Sequence, residues 1–163
     1  MVWLASSFSY FLIFALINTF SQIYITGLTS SASEVLAYIA AIFLQKKFGV
    51  KHSLIISFGV STLGGILILS WGLSNQDSTL FFVFFLLAKF GIACTFTLNM
   101  SANSYFPTLF AATAIGISNF TARLVSAFSY LVSGLSEPYP IIMFTSICGL
   151  TCVFLFFLRT EKD

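Results

Sequence analysis

LFFVFFLLAKFGIACTFTL, residues 80–98, decides the fold of this chain. The stretch is long enough to cross a bilayer, for which a helix needs about 17–25 apolar residues. It carries a single charge, Lys89, near its middle. Such a charge costs about 2.5–3.5 kcal/mol at a helix centre on insertion scales, so it usually faces a partner or a water-filled path. The stretch therefore predicts a membrane helix and makes Lys89 a candidate functional residue.

The composition of the whole chain agrees with this prediction. The sequence is 58% hydrophobic and 7% charged, with a mean hydropathy of +1.01, whereas soluble domains are about 45–50% apolar and about 25% charged. A lipid bilayer is therefore the expected surrounding. The net charge of +2 argues against nucleic acid as a partner.

Six apolar segments are long enough to be membrane spans. They cover residues 3–24, 28–44, 54–73, 80–98, 109–131 and 141–158. Polar or proline-containing stretches separate them, and the shorter alternating segments of a β-barrel are absent from the sequence. We predict an all-α membrane protein in which residues 1–163 form one bundle of six transmembrane helices.

The basic residues outside these segments predict the orientation of the chain. All of them fall on one face, which the positive-inside rule assigns to the cytoplasm. They are Lys46, Lys47, Lys51, Arg159 and Lys162. Both termini are then cytoplasmic. The basic turn around residues 46–52 is either a topology signal alone or also a functional element.

Three charges are predicted at membrane depth: Glu34, Lys89 and Arg123, on the second, fourth and fifth segments. Glu34 could neutralise Lys89 or Arg123 in at least one conformation. One reading is a structural ion pair that fixes helix packing. The other is solute binding or gating, the default role of an ionisable group inside a membrane.

Uncharged polar residues extend these candidate sites. On the fifth segment, Asn119 and Gly116 share a helix face with Arg123, next to a stripe of small residues, 114, 118, 122 and 126, suited to close packing. On the first segment, Asn18 and Gln22 form an amide pair, with Tyr10 on roughly the same side. These amides either contact solute or only bond neighbouring helices.

Sequence motifs for other chemistries give nothing firm. We find no phosphate-binding glycine loop, zinc spacing or nucleophile elbow in the sequence, and the three cysteines lie in apolar runs without histidine or carboxylate neighbours. We therefore expect no cofactor, no metal site and no enzymatic activity.

Several stretches together resemble the organic cation, organic anion and carnitine transporters of the major facilitator superfamily. The family patterns are E-[IV]-P-A-Y, a basic D-R-x-G-R-[RK] turn, G-K-F-G, E-L-Y-P-T-x-x-R, G-x-G and S-R-L-G. The matching stretches, in the same order, are 34–38, 45–51, 88–92, 104–111, Gly116 and 122–124. The resemblance spans most of the chain.

This resemblance implies that the six segments are the C-terminal half, helices seven to twelve, of a twelve-helix secondary transporter, with the N-terminal half absent. Segments one, two, four and five would face a central cavity. Solute would bind near mid-membrane between two halves, and rocking of one half would give alternating access. A second six-helix half, or self-association, would then be required.

The resemblance also implies a cytoplasmic gate, from which the chain departs in places. Its residues would be Lys46, Lys47, Gly49, Lys51, Ser104, Pro107 and Thr108. Ser104 and Ala111 replace the acidic and basic partners of the family motif, and Leu36 replaces a proline. The latching of the cytoplasmic helix ends is therefore expected to differ from the family pattern.

Two functional hypotheses follow. The first is a partial transporter of small organic ions in the plasma membrane, whose substrate is an organic anion, a carnitine-like zwitterion or an organic cation. Arg123 would attract a carboxylate, and Glu34 an ammonium group. The second is a non-transporting interaction or regulatory module that retains the half-transporter fold.

Overall fold

A computed structural model describes residues 2–16, 23–71, 79–102, 108–135 and 138–157. In this part of the chain the structure is helical, with short turns. The five helices are α1 (Val2–Ala15), α2 (Ile23–Trp71), α3 (Thr79–Ala102), α4 (Thr108–Ser133) and α5 (Tyr139–Phe157). The all-α prediction is confirmed for these residues; five continuous helices stand where six were predicted, because α2 contains two of the predicted segments.

The difference arises in α2, which contains the second and third predicted segments and the basic turn between them. Its backbone leaves the helical region at one residue, Gly49, with φ 75° and ψ 169°. Glycine adopts a positive φ without the steric penalty of other residues. The Ser53 hydroxyl donates to the Gly49 carbonyl oxygen at 2.6 Å, and the helix resumes there. We call residues 23–48 and 50–71 the first and second arms of α2.

The two arms run in opposite directions along α3. In the first arm, Ser30 contacts Lys89 and Ala37 contacts Cys94, so residue numbers rise together. In the second arm the order is reversed. Its residue Ser57 lies beside Gly91, whereas the later residue Gly64 lies beside Ala88. The chain therefore turns back on itself at Gly49.

Helix α3 lies at the centre of the described bundle. Helix α1 runs antiparallel to it: the Asn99 side chain donates to Ser6 near one end, and Lys89 approaches Phe14 near the other. Helix α5 packs antiparallel to the second arm of α2, and α4 packs mainly against α1. The shared apolar core includes Leu12, Phe58, Ala88, Ile92 and Phe144.

In the described part of the chain, three helical stretches are long and apolar enough to cross a membrane: Gly27–Trp71, Leu80–Asn99 and Tyr139–Phe157. Helix α1 is apolar but only 14 residues long, and residues 17–22 of the first predicted segment lie outside the described residues. Helix α4 has 26 residues but includes Asn119 and Arg123, which lower its hydropathy. Many large apolar side chains face outward, as in a helix that is apolar all round.

Candidate functional site

Lys89 is the centre of a polar cluster inside the helix bundle. Its side chain is 1% exposed, and its Nζ lies 2.8 Å from Oε1 of Glu34. The ammonium group also donates to the hydroxyl of Ser30. The sequence left open whether Glu34 pairs with Lys89 or with Arg123. The structure shows the pair with Lys89.

Local sequence explains why Lys89 reaches the first arm of α2. Its neighbours Ala88 and Gly91 are small, and they allow the second arm to approach α3 closely. A Cβ built on Gly64 would lie 2.7 Å from the backbone nitrogen of Ala88. Ser30 and Glu34 are four residues apart and so share one face of the first arm. Lys89 extends from α3 to meet this face.

Helix α1 completes the cluster with two aromatic residues one turn apart. The Tyr10 hydroxyl donates to Oε1 of Glu34 at 3.1 Å. The ring centroid of Phe14 lies 5.5 Å from Nζ of Lys89, within the range of a cation–π interaction. We call Tyr10, Phe14, Ser30, Glu34 and Lys89 the charge cluster. It joins α1, α2 and α3 through polar contacts.

Further aromatic residues lie beside the Tyr10 ring. Phe96 stacks on the Tyr10 ring with centroids 5.6 Å apart, and Trp3 lies 6.3 Å from Phe96. Tyr38, one turn after Glu34, interacts with both Tyr10 and Glu34. The carboxylate therefore lies between a buried cation and an aromatic wall.

The two charges of the pair differ in exposure. The Glu34 side chain is 17% exposed, whereas Lys89 is almost fully enclosed. Burial removes water from both groups, and removing one partner would leave an uncompensated charge, which usually costs about 3–5 kcal/mol. The pair is therefore held strongly but can be approached from the side of Glu34.

Arg123 and Asn119 lie on an exposed face of α4 together with Gly116. Among the residues that the structure describes, neither side chain has a hydrogen-bond or ion-pair partner. The adjoining stripe of small residues is buried at Ala122 and Ser126. The face predicted to pack is thus covered, and the polar face beside it is open.

The remaining predicted site residues fall into two groups: those in the described part of the chain and those outside it. Lys46 and Lys47 are exposed, Lys51 is half-buried, and Gly49 forms the reversal of α2. Thr108 begins α4. Asn18, Gln22, Ser104 and Pro107 lie outside the described residues, so their predicted roles in solute contact or gating stay predictions.

Sequence reasoning missed two members of the charge cluster, Ser30 and Phe14. Ser30 lies near the start of the second predicted segment, 28–44, and was given no role at the site. Its spacing of four residues before Glu34 was the available signal. Phe14 lies four residues after Tyr10, on roughly the same side of the predicted helix, but it was given no role at the site.

A separate cavity of about 680 Å³ lies between α1, α4 and α5. Its lining is apolar and includes Leu4, Phe8, Val125, Ile147 and Phe154. It offers no charged group to an ion, in contrast to the charge cluster.

Comparison with known proteins gives a distant relative and no family assignment. No family model matches the chain. The chain is 26% identical to human solute carrier family 22 member 13 over 163 residues, which include 94% of this chain and 29% of that protein. It thus spans less than a third of the length of this relative. Together with the apolar helices, this similarity indicates a multi-pass membrane protein related at a distance to a solute carrier.

Proposed function

We propose that the chain is half of a secondary transporter for small organic ions, and that the charge cluster lines its translocation path. The observation that carries this proposal is the buried Lys89–Glu34 ion pair, whose two residues lie within long apolar stretches and which contacts a third helix through Tyr10. Two opposite charges inside a membrane are costly, and such groups usually mark a solute or ion pathway.

The position of the pair supports alternating access. Lys89 belongs to α3 and Glu34 to the first arm of α2, so a rigid-body shift of either would change the distance between them. An ion pair that is closed in one conformation and open in another can favour either state, depending on what occupies it. The similarity to a solute carrier is compatible with this role.

The open polar face of α4 supports a second half that covers it. Arg123 and Asn119 are exposed there, and a guanidinium group is unfavourable in lipid. In our proposal this face lies toward a water-filled cavity shared with another six-helix half, from another chain or a second copy. Arg123 would then attract a carboxylate across the cavity.

These charges define the proposed substrate class. Arg123 and Lys89 suit the carboxylate of an organic anion, and Glu34 suits the ammonium group of a cation or of a carnitine-like zwitterion. On the basis of the basic turn we propose that both termini lie in the cytoplasm, and we further propose the plasma membrane as the location.

The test is uptake by sealed vesicles that contain the full chain, with labelled organic anions, carnitine and organic cations offered separately. We expect uptake of at least one class above empty vesicles, and a loss of at least tenfold in Lys89→Ala and Arg123→Ala. Ser133→Ala is the control, because this exposed hydroxyl bonds only to its own helix.

Uptake equal to that of empty vesicles for all three classes, with normal helix content, would overturn the proposal. If the chain then co-purified with a full-length carrier, the non-transporting interaction module would replace it. Uptake that is unchanged in both variants would overturn the assignment of the path to these residues.

A further inference from the structure

The charge cluster has a feature that its proposed role in transport does not require: the Lys89 ammonium group is enclosed by partners from its own chain. A lysine ammonium has three N–H donors. One faces Oε1 of Glu34, one faces the Ser30 hydroxyl, and the Phe14 ring lies 5.5 Å from the nitrogen. With the side chain 1% exposed, a solute cannot reach the ammonium group in this arrangement.

We propose that Glu34 is an internal carboxylate ligand of Lys89, which an anionic solute must displace in order to bind. This inference rests on the proposed function, since it concerns the same site. Glu34 presents to Lys89 the group that an organic anion would present, a carboxylate oxygen at 2.8 Å. It therefore holds the cation site closed until a solute carboxylate takes its place.

The surroundings of Glu34 allow this exchange. The Glu34 side chain is 17% exposed, so it borders the side from which the cluster can be approached. Its second anchor is the Tyr10 hydroxyl on α1, which does not depend on Lys89. A displaced Glu34 carboxylate can keep this donor while Lys89 and Ser30 turn to the solute.

Competition by an internal ligand lowers apparent affinity. When the binding-competent state is only a fraction of the population, the apparent dissociation constant equals the intrinsic constant divided by that fraction. Removing the charge of Glu34 therefore increases the affinity of Lys89 for a solute carboxylate. A pair that served only to fix helix packing would show the opposite, because its loss would disorder Lys89.

The test is equilibrium binding of radiolabelled benzoate to the full chain in lipid nanodiscs, with benzylammonium as the cation of matched size. We expect Glu34→Gln to bind benzoate about tenfold more tightly than the native chain, and Glu34→Asp, whose shorter carboxylate reaches Lys89 less well, to be intermediate. The double variant Glu34→Gln with Lys89→Gln should lose benzoate binding. Ser146→Ala, which alters an exposed hydroxyl bonded to its own helix, should bind as the native chain does.

Unchanged or weaker benzoate binding in both Glu34 variants, with native helix content, would overturn the inference. Glu34→Asp keeps the ion pair, so it remains informative if Glu34→Gln does not fold. Because binding is measured without transport, the two proposals fail separately. Tighter binding without vesicle uptake removes only the transport function, and uptake with unaltered binding in the Glu34 variants removes only the internal ligand.

Discussion

At the residue scale, the cost of placing a charge in an apolar segment singled out two side chains that the structure brings together as an ion pair. Lys89 and Glu34 were predicted as functional candidates because charges within apolar segments are expensive. Their pairing could not be predicted, because Arg123 was an equally plausible partner. The choice depends on how α3 is rotated, which the close packing of Ala88 against Gly64 determines.

The contribution of the charge cluster to stability can be tested by removing a single hydroxyl group, that of Ser30. Ser30→Ala removes an acceptor from the buried Lys89 ammonium, and we expect it to lower the free energy of unfolding by about 1 kcal/mol. This lies between the ~0.6 kcal/mol average of polar contacts between membrane helices and the ~1.5–3 kcal/mol of charged hydrogen bonds. The measurement is reversible unfolding in mixed micelles.

Ser31→Ala is the matched control for this experiment. Ser31 is exposed, and its hydroxyl donates to the Gly27 carbonyl oxygen of its own helix at 2.9 Å. Its removal should change the unfolding free energy by less than about 0.5 kcal/mol, as for most surface substitutions. Equal effects of the two substitutions would show that the contact from Ser30 to Lys89 contributes nothing.

At the element scale, the apolar segments predicted where helices lie but not how they join. The polar stretch 29–31, at the start of the second predicted segment, lies inside α2. Serine hydroxyls there bond to carbonyl oxygens of the same helix, as Ser31 and Ser33 do, so their polarity does not interrupt it. Conversely, the predicted turn at 46–52 is reduced to one residue, because Gly49 alone provides the reversal.

The contact between α3 and the second arm of α2 predicts a large effect of one methyl group. Gly64→Ala would place a Cβ 2.7 Å from the backbone nitrogen of Ala88, and backbone cannot move aside as a flexible side chain can. We expect a loss of about 1–3 kcal/mol in unfolding free energy, as for other overpacked cores. Thermal unfolding in detergent would measure it.

Gly59→Ala, in the same arm, is the control. A Cβ at Gly59 has no neighbour within 4 Å. The substitution should be neutral or stabilise the helix by up to about 1 kcal/mol, because alanine is the better helix former. A Gly64→Ala variant as stable as Gly59→Ala would contradict the close approach of the two helices.

At the scale of the whole molecule, the sequence predicted a membrane protein, and the structure and the distant relative agree. The predicted number of six membrane spans cannot be compared so directly. Three described stretches are long and apolar enough to cross a membrane. The longest, Gly27–Trp71, would measure about 68 Å as a straight helix at ~1.5 Å per residue. That is about twice the ~30 Å hydrocarbon core, so the reversal at Gly49 is what allows this stretch to fit a bilayer.

This reversal predicts on which side of the membrane each end of the second arm lies. His52 and Ser70 are both exposed and lie near opposite ends of the second arm, about 27 Å apart at ~1.5 Å per residue. With the basic turn in the cytoplasm, an impermeant maleimide added to intact cells should label Ser70→Cys but label His52→Cys only after permeabilisation. The native chain is the background control, because Cys94 and Cys148 are buried and Cys152 is half-buried. Labelling of His52→Cys alone in intact cells would invert the orientation, and labelling of both would mean that the second arm does not cross the membrane.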